Sequence, residues 1–279
     1  MLFFSKKTTI AASGILQGAT DHHSHILPGV DDGVETIAEA LHILATYEAL
    51  GIKELWLTPH IMEDIPNSPA KLQARFAELK AAYTGDIQLH LAAEYMIDNH
   101  LRKLLQEIKN SPSFERGATR GSVACDDGCF STPKECPTGA AQGEGVETNS
   151  LLPIGNTGKH ILVETSYYNA PMRFNDTLQQ IKSLGYHPLL AHPERYMYLD
   201  NAEYRKLHDE GVKFQLNLAS LAGGYGKAVK KKAEWLLTNG LYSVAGSDFH
   251  CEEAIEYITK CKLSEKEIEL VERLLHNSI

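Results

Sequence analysis

His187-Pro188-Leu189-Leu190-Ala191-His192-Pro193-Glu194-Arg195 is a short apolar run that stops on a histidine, a proline and an arginine. An apolar stretch of this length, bounded in this way, fits a buried strand better than a helix. The pattern recurs outward in both directions. Candidate strands lie at 54–58, 87–93, 160–165, 213–218 and 241–245, with one more just before His23. Helical spacing fills the gaps between them. Ile37, Leu41, Leu44 and Ala45 share a face of 36–50. Ser68 and Pro69 read as N-cap and first helical residue ahead of Leu72, Phe76 and Leu79. Stretches 174–184 and 227–237 repeat the pattern, and Ser264 with Glu267 forms a capping box for 265–276. Strand and helix in alternation over most of the chain predict an α/β fold built on a parallel sheet or barrel.

In such folds the active site lies beyond the C-terminal ends of the strands. The chemistry-bearing residues fall there. His60 follows the run ending at Thr58, Glu94 follows 87–93, and Glu164 closes Ile161-Leu162-Val163. His192 follows Ala191, while Asp248 and His250 follow the run ending at Ala245. His23 and His25 occupy the first strand end, so all of these groups are expected on one rim.

The spacings carry chemistry. In an extended segment residues two apart point the same way, so His23 and His25 can reach one ion, as can Asp248 and His250. Alone, His-x-His fits two unrelated surface histidines; its weight comes from the later strand ends. Asp31-Asp32-Gly33 fits a turn and N-cap, and Asp32 is also a candidate ligand. Glu164 is the candidate bridging carboxylate, since an unpaired charge beside Val163 in a buried strand is costly. Arg195 either offers its planar fork to a phosphate or pairs on the surface with Glu194 or Asp200. The set mixes imidazole with carboxylate and has no cysteine in register, which suits manganese, iron or zinc in an open catalytic site. Eight or nine ligands exceed the needs of one ion and imply a cluster of two or three. Such clusters assist phosphate-ester hydrolysis.

The bulk properties set limits. The chain has 279 residues, 43% of them hydrophobic, enough for a sizeable core. A net charge of −9 argues against nucleic acid as the main partner. Lys6 and Lys7 follow the apolar Met1–Phe4 instead of preceding it, and no apolar run reaches the length of a membrane span. The expectation is a cytoplasmic protein without stable membrane insertion, with an N-terminal arm at 1–18 and one domain at 19–279. An odd count of five cysteines fits a reducing compartment. The sequence leaves open whether the chain forms an oligomer.

The motifs DHHSHILPGVDDG at 21–33, TPH at 58–60, AEY at 93–95, VET at 163–165, AHPER at 191–195 and SDFH at 247–250 stand in the order of a known family. The chain resembles the PHP (polymerase and histidinol phosphatase) superfamily. Within it, the chain is similar to bacterial protein-tyrosine phosphatases encoded with capsule and exopolysaccharide genes. The resemblance implies a distorted (β/α) TIM-like barrel and a site of three metal ions, manganese first, with iron, zinc or magnesium as alternatives. Position by position it implies His23, His25, Asp32, His60, Glu94, Glu164, His192, Asp248 and His250 as ligands. It also implies catalytic roles for His192 and Asp248, a phosphate-holding Arg195, and phosphotyrosine on a bacterial tyrosine kinase as substrate. A small-molecule phosphatase such as histidinol phosphatase, a nuclease on the same scaffold, and a catalytically dead binding protein are the alternatives.

One segment departs from this pattern. From Ser111 to Ser150 there is no Leu or Ile, while six Gly and three Pro occur. Such a composition predicts a largely disordered insertion at about 110–150. It enters between a helix and the strand ending at Glu164, on the face expected to lie opposite the site. Cys125, Cys129 and Cys136 within it match no metal-binding spacing.

Overall fold

The computed structural model describes residues 7–111 and 151–279. Its framework is parallel. Strands β1 (Thr8–Thr9), β2 (Thr20–Ser24), β3 (Glu54–Leu57), β4 (His60–Ile61), β5 (Gln88–Leu91), β6 (Glu94–Met96), β7 (His160–Glu164), β8 (His187–Ala191), β9 (Lys213–Asn217), β10 (Val244–Gly246) and β11 (Lys262–Leu263) follow in chain order. One sheet has the order β2-β3-β5 and another β10-β9-β8-β7-β6-β4, all neighbours parallel.

The two sheets are one surface. Strands β3 and β4 are a single line of chain broken at Thr58-Pro59, where proline brings no N–H to a ladder. Likewise β5 and β6 are one line broken at Ala92-Ala93. The Ala92 N–H donates to the Leu57 carbonyl and the Glu94 N–H to the Pro59 carbonyl, carrying the ladder across the breaks. At the other edge the Asp248 N–H donates to the His23 carbonyl at 2.8 Å, and the His25 N–H to the Phe249 carbonyl at 2.9 Å. The sheet therefore closes on itself as a distorted parallel α/β barrel with strand lines β2, β3/β4, β5/β6, β7, β8, β9 and β10.

Helices cover the outside, and several carry their own start signals. Thr36 and Glu39 make a reciprocal capping box for Ile37–Leu50, as do Ser264 and Glu267 for Glu265–Leu275. Ser68 caps Pro69–Ala82 through the Lys71 N–H. The larger core lies between these helices and the outward strand residues, among them Ile161, Val163 and Leu190. A second core, Trp56, Ala92, Ile154, Leu162, Leu189, Ala191 and Val244, fills the barrel interior. Alternation puts Leu162 and Glu164 on the same inner face, so the apolar floor gives way to polar groups toward the strand ends.

Boundaries shift in places. The expected strand 87–93 changes neighbours at Ala92-Ala93, and 241–245 becomes Val244–Gly246. Helices Ile10–Ser13, Asn201–Asp209, Leu218–Ala222 and Glu253–Lys260 add to those read from the sequence. Residues 7–18 pack on the barrel: β1 pairs antiparallel with β11, and Ile10, Ile15 and Leu16 are buried. The disorder expected of 110–150 falls on residues 112–150, outside the described residues. On the far side the chain re-enters through buried Leu151 and Leu152, and Ile154 bridges His160 at the end of β7 remote from Glu164. Among the described residues no helix is long and apolar enough to cross a membrane.

Closure demands a small residue at Gly246. A Cβ there would lie 2.6 Å from the His23 Cβ and 2.7 Å from the His23 nitrogen. Gly246→Ala must push β10 off β2, an overpacking that costs about 1–3 kcal/mol. A fall in the urea midpoint is the expected result, and an unchanged midpoint would contradict the close approach.

Candidate metal centre

The rim gathers every candidate ligand. Strand β2 supplies His23, with His25 just beyond it, and Asp32 follows in the next turn. His60 opens β4, Glu94 opens β6 and Glu164 ends β7. His192 follows β8, while Asp248 and His250 follow β10. Three overlapping groups result: His25, Asp32, His60 and His250; His23, His25, Glu94 and Asp248; and His60, Glu94 and Glu164, the donor atoms of each group within 4.8 Å of one another. His192 joins from the side, its Nε2 3.1 Å from Glu94 Oε1 and 3.8 Å from Glu164 Oε2. The carboxylate shared between groups is Glu94, where the sequence pointed to Glu164. Glu94 Oε2 lies 3.2 Å from His23 Nε2, 3.4 Å from His25 Nε2 and 3.2 Å from His60 Nδ1.

The donor set fits divalent cations. His23 Nδ1 is held at 3.0 Å by Gln215 Oε1, and His25 Nδ1 at 2.8 Å by Asp31 Oδ2. Both acceptors place the proton on Nδ1, so both Nε2 lone pairs turn inward, 3.1 Å apart. Two lone pairs facing each other among carboxylate oxygens need a positive charge between them. His60 Nδ1 and Glu94 Oε2 are also buried without a hydrogen-bond partner. The field points the same way. Burial works to lower the His23 pKa, yet Glu94 and Asp248 push it up to about 9. Burial opposes ionisation of Glu94 and Asp248, but their histidine neighbours hold both carboxyls below the usual range. His22 is turned away: its Nδ1 meets the Ala245 carbonyl, and burial pushes its pKa down to about 4.

The supporting residues are those that sequence reasoning did not single out. Asp31, read as a turn residue, holds His25 and also accepts the His60 N–H at 3.1 Å. Gln215 holds His23 and accepts the His192 N–H at 3.3 Å, while its own amide donates to the Leu216 carbonyl at 2.6 Å. Asn217 donates to Asp248 Oδ2 at 2.8 Å. The signal for the last two was present: Gln215 and Asn217 are alternate polar residues in an otherwise buried strand. His192 and Asp248 have φ of 34° and 52°, a region that costs a non-glycine residue energy and that the surrounding bonds enforce. Gln215→Leu removes the acceptor that sets the His23 tautomer. A metal affinity weaker by about 10–100-fold is expected by titration with manganese; unchanged affinity would show that the tautomer is fixed elsewhere.

Arg195 stands at the edge of the cluster, its Nη1 3.1 Å from Asp248 Oδ2. Neither surface pairing considered from the sequence occurs. Glu194 is buried, accepting from the Asn217 N–H and the Tyr242 hydroxyl, and Asp200 caps Asn201–Asp209. Above the donors opens a cavity of about 660 Å³ lined by Glu94, His192, Arg195, Met62, Met96 and Tyr168 among others.

A closed parallel barrel with this rim defines an α/β barrel protein with a candidate metal-binding centre at its strand ends. The chain belongs to the family described as capsular polysaccharide synthesis, CpsB/CapC, which matches residues 19–113 and 139–268. It is 26% identical over 257 residues to the tyrosine-protein phosphatase YwqE of Bacillus subtilis (strain 168), spanning 86% of this chain and 84% of that one. It is 27% identical over 245 residues to the tyrosine-protein phosphatase CpsB of Streptococcus pneumoniae, spanning 82% of each. Among solved structures the fold matches that of the YwqE and CpsB pair, described as unique metal-dependent tyrosine phosphatases. The TM-score is 0.65 at 22% identity, covering 93% of this chain and 95% of the other.

Proposed function

We propose that this chain is a metal-dependent protein-tyrosine phosphatase, acting on phosphotyrosine of a tyrosine kinase in capsule or exopolysaccharide synthesis. The observation that carries the reading is the donor cluster opening into a cavity beside an arginine. The names of its relatives and the family's description support the substrate. His23, His25, Asp32, His60, Glu94, Glu164, His192, Asp248 and His250 would hold two or three divalent ions, manganese first among them. Bound there, such ions make a water nucleophilic near neutral pH and offset the charge of the phosphoryl oxygens. Arg195 directs N–H donors toward those oxygens. Asp248 anchors that guanidinium, and Met62 and Met96 give an aryl group an apolar wall. A tyrosine leaving group, with a pKa of about 10, needs little help from a general acid. Among the described residues Cys251 and Cys261 are free thiols, which supports placing the protein in the reducing cytoplasm.

The test compares a phosphotyrosine peptide with histidinol phosphate, with manganese present and after chelation. Hydrolysis of the peptide should dominate, and chelation should remove at least about 99% of it, as expected where metal ions carry the charge stabilisation. Full activity after verified metal removal, or a preference for histidinol phosphate, would overturn the reading.

A further inference from the structure

The Arg195 guanidinium packs against two aromatic rings. Its Cζ lies 3.9 Å from the centroid of the Tyr167 ring and 4.1 Å from that of Tyr225. The two rings come from different strand ends. Tyr167 lies three residues beyond Glu164 at the end of β7. Tyr225 sits in the turn between Leu218–Ala222 and Lys227–Thr238, flanked by Gly226, whose φ of 91° only glycine adopts readily. Both rings stand at the cavity rim, 38% and 39% exposed.

We propose that Tyr167 and Tyr225 are positioning residues that clamp Arg195 between their rings and so set the affinity of the centre for phosphate esters. The inference rests on the reading that this site takes a phosphate, and it adds how the arginine is aimed. A guanidinium carries all its donors in its plane. With a ring centroid 3.9 Å and another 4.1 Å from its Cζ, the guanidinium has little room to turn, and its Nη1 is held at the donor cluster, where it meets Asp248. A long, free arginine would lose much rotamer freedom on binding an anion; one already stacked has lost it in advance.

The clamp is also tied to the centre. The Asn217 amide donates to the Tyr225 hydroxyl at 3.3 Å and to Asp248 Oδ2 at 2.8 Å. Tyr167 is wedged from behind, its ring centroid 5.9 Å from that of His192 and 6.2 Å from that of Tyr196. Neither ring offers its Arg195-facing side to a substrate, which separates this role from direct stacking on an aryl group.

The experiment is a set of double-mutant cycles on the manganese-loaded full chain. Binding of inorganic phosphate is measured by calorimetry, and KM and kcat are measured with p-nitrophenyl phosphate. Tyr167→Ala and Tyr225→Ala should each weaken phosphate binding roughly ten-fold, the range expected for a cation–π contact in a partly desolvated site. Metal content should be unchanged. Tyr167→Phe and Tyr225→Phe should restore most of the affinity because they keep the ring. Where alanine leaves the protein poorly folded, Tyr167→Leu, which fills space without a π face, takes its place and should weaken phosphate binding by the same roughly ten-fold. In an Arg195→Ala background the same changes should shift binding less than about two-fold, since their partner is gone.

Tyrosine truncations that leave phosphate affinity untouched, or effects that persist without Arg195, would overturn the clamp; the second result would show that the rings act independently of the arginine. Absence of phosphate binding by the unaltered manganese-loaded chain would overturn it too. Phosphate binding that follows the predicted cycle in a chain that hydrolyses no aryl phosphate would sink the phosphatase reading and keep the clamp.

Discussion

Glu94→Gln should reduce kcat/KM for an aryl phosphate by about 1,000-fold or more, the scale seen when a preorganised charge is removed from an active site. The side chain is fully buried, and its two oxygens face four histidines: His23, His25 and His60 on one side and His192 on the other. Two of the three donor groups share it. Glutamine has the same shape, so the barrel should stay folded. It removes the negative charge and brings an N–H pair against imidazole nitrogens that need a cation. Elemental analysis should show fewer ions per chain than in the unaltered protein. Retention of more than about a tenth of the activity would take Glu94 out of the centre.

Asp248→Asn should cost about 100–1,000-fold in kcat/KM and, unlike the change at Glu94, should also weaken phosphate binding. One carboxylate oxygen lies 3.4 Å from His23 Nε2, 3.5 Å from His25 Nε2 and 3.6 Å from His250 Nδ1. The other accepts from Arg195 and Asn217. An amide cannot serve both sides. Turned one way its N–H groups stand where an oxygen would face a cation; turned the other they meet two donors. The substitution is clean because asparagine tolerates the left-handed backbone that Asp248 occupies, where alanine would add strain. Phosphate affinity equal to that of the unaltered chain would break the argued link between Asp248 and Arg195.

The parts of the fold and site that the sequence made legible are those written locally. The runs at 160–165 and 187–191 become β7 and β8 because three or four apolar residues bounded by polar ones have little else to form in a parallel core. The ligand candidates followed from strand ends and alternate spacing, and the structure brings these residues to one rim. What stayed hidden depends on contacts far apart in sequence. Gln215 meets His23 across 192 residues, and nothing near either one announces the pairing. Asp31 looked like a turn because it is one: it accepts the Gly33 N–H as well as the imidazole proton. The switch of neighbours at Ala92-Ala93 leaves no mark on hydrophobicity, since the alternation of Leu89, Leu91, Ala93, Tyr95 and Ile97 runs through it unbroken. Tyr225 sits in a glycine-rich turn, and its ring is placed by Arg195, which arrives on another element.

The seam where β10 meets β2 has a consequence for the order of events as the chain is made. Ser247 bonds the carbonyl of His23 across 224 residues, so donors from the first strand of the barrel meet those from the last only when the circle shuts. Contacts this distant carry a heavy loop-closure cost and form late. A nascent or truncated chain would hold His23 and His25 as an isolated pair, with neither Asp248 nor Arg195 beside them. The complete cage is thus a product of finished folding. Any ion that needs the full cage could be captured only after the last strand has docked.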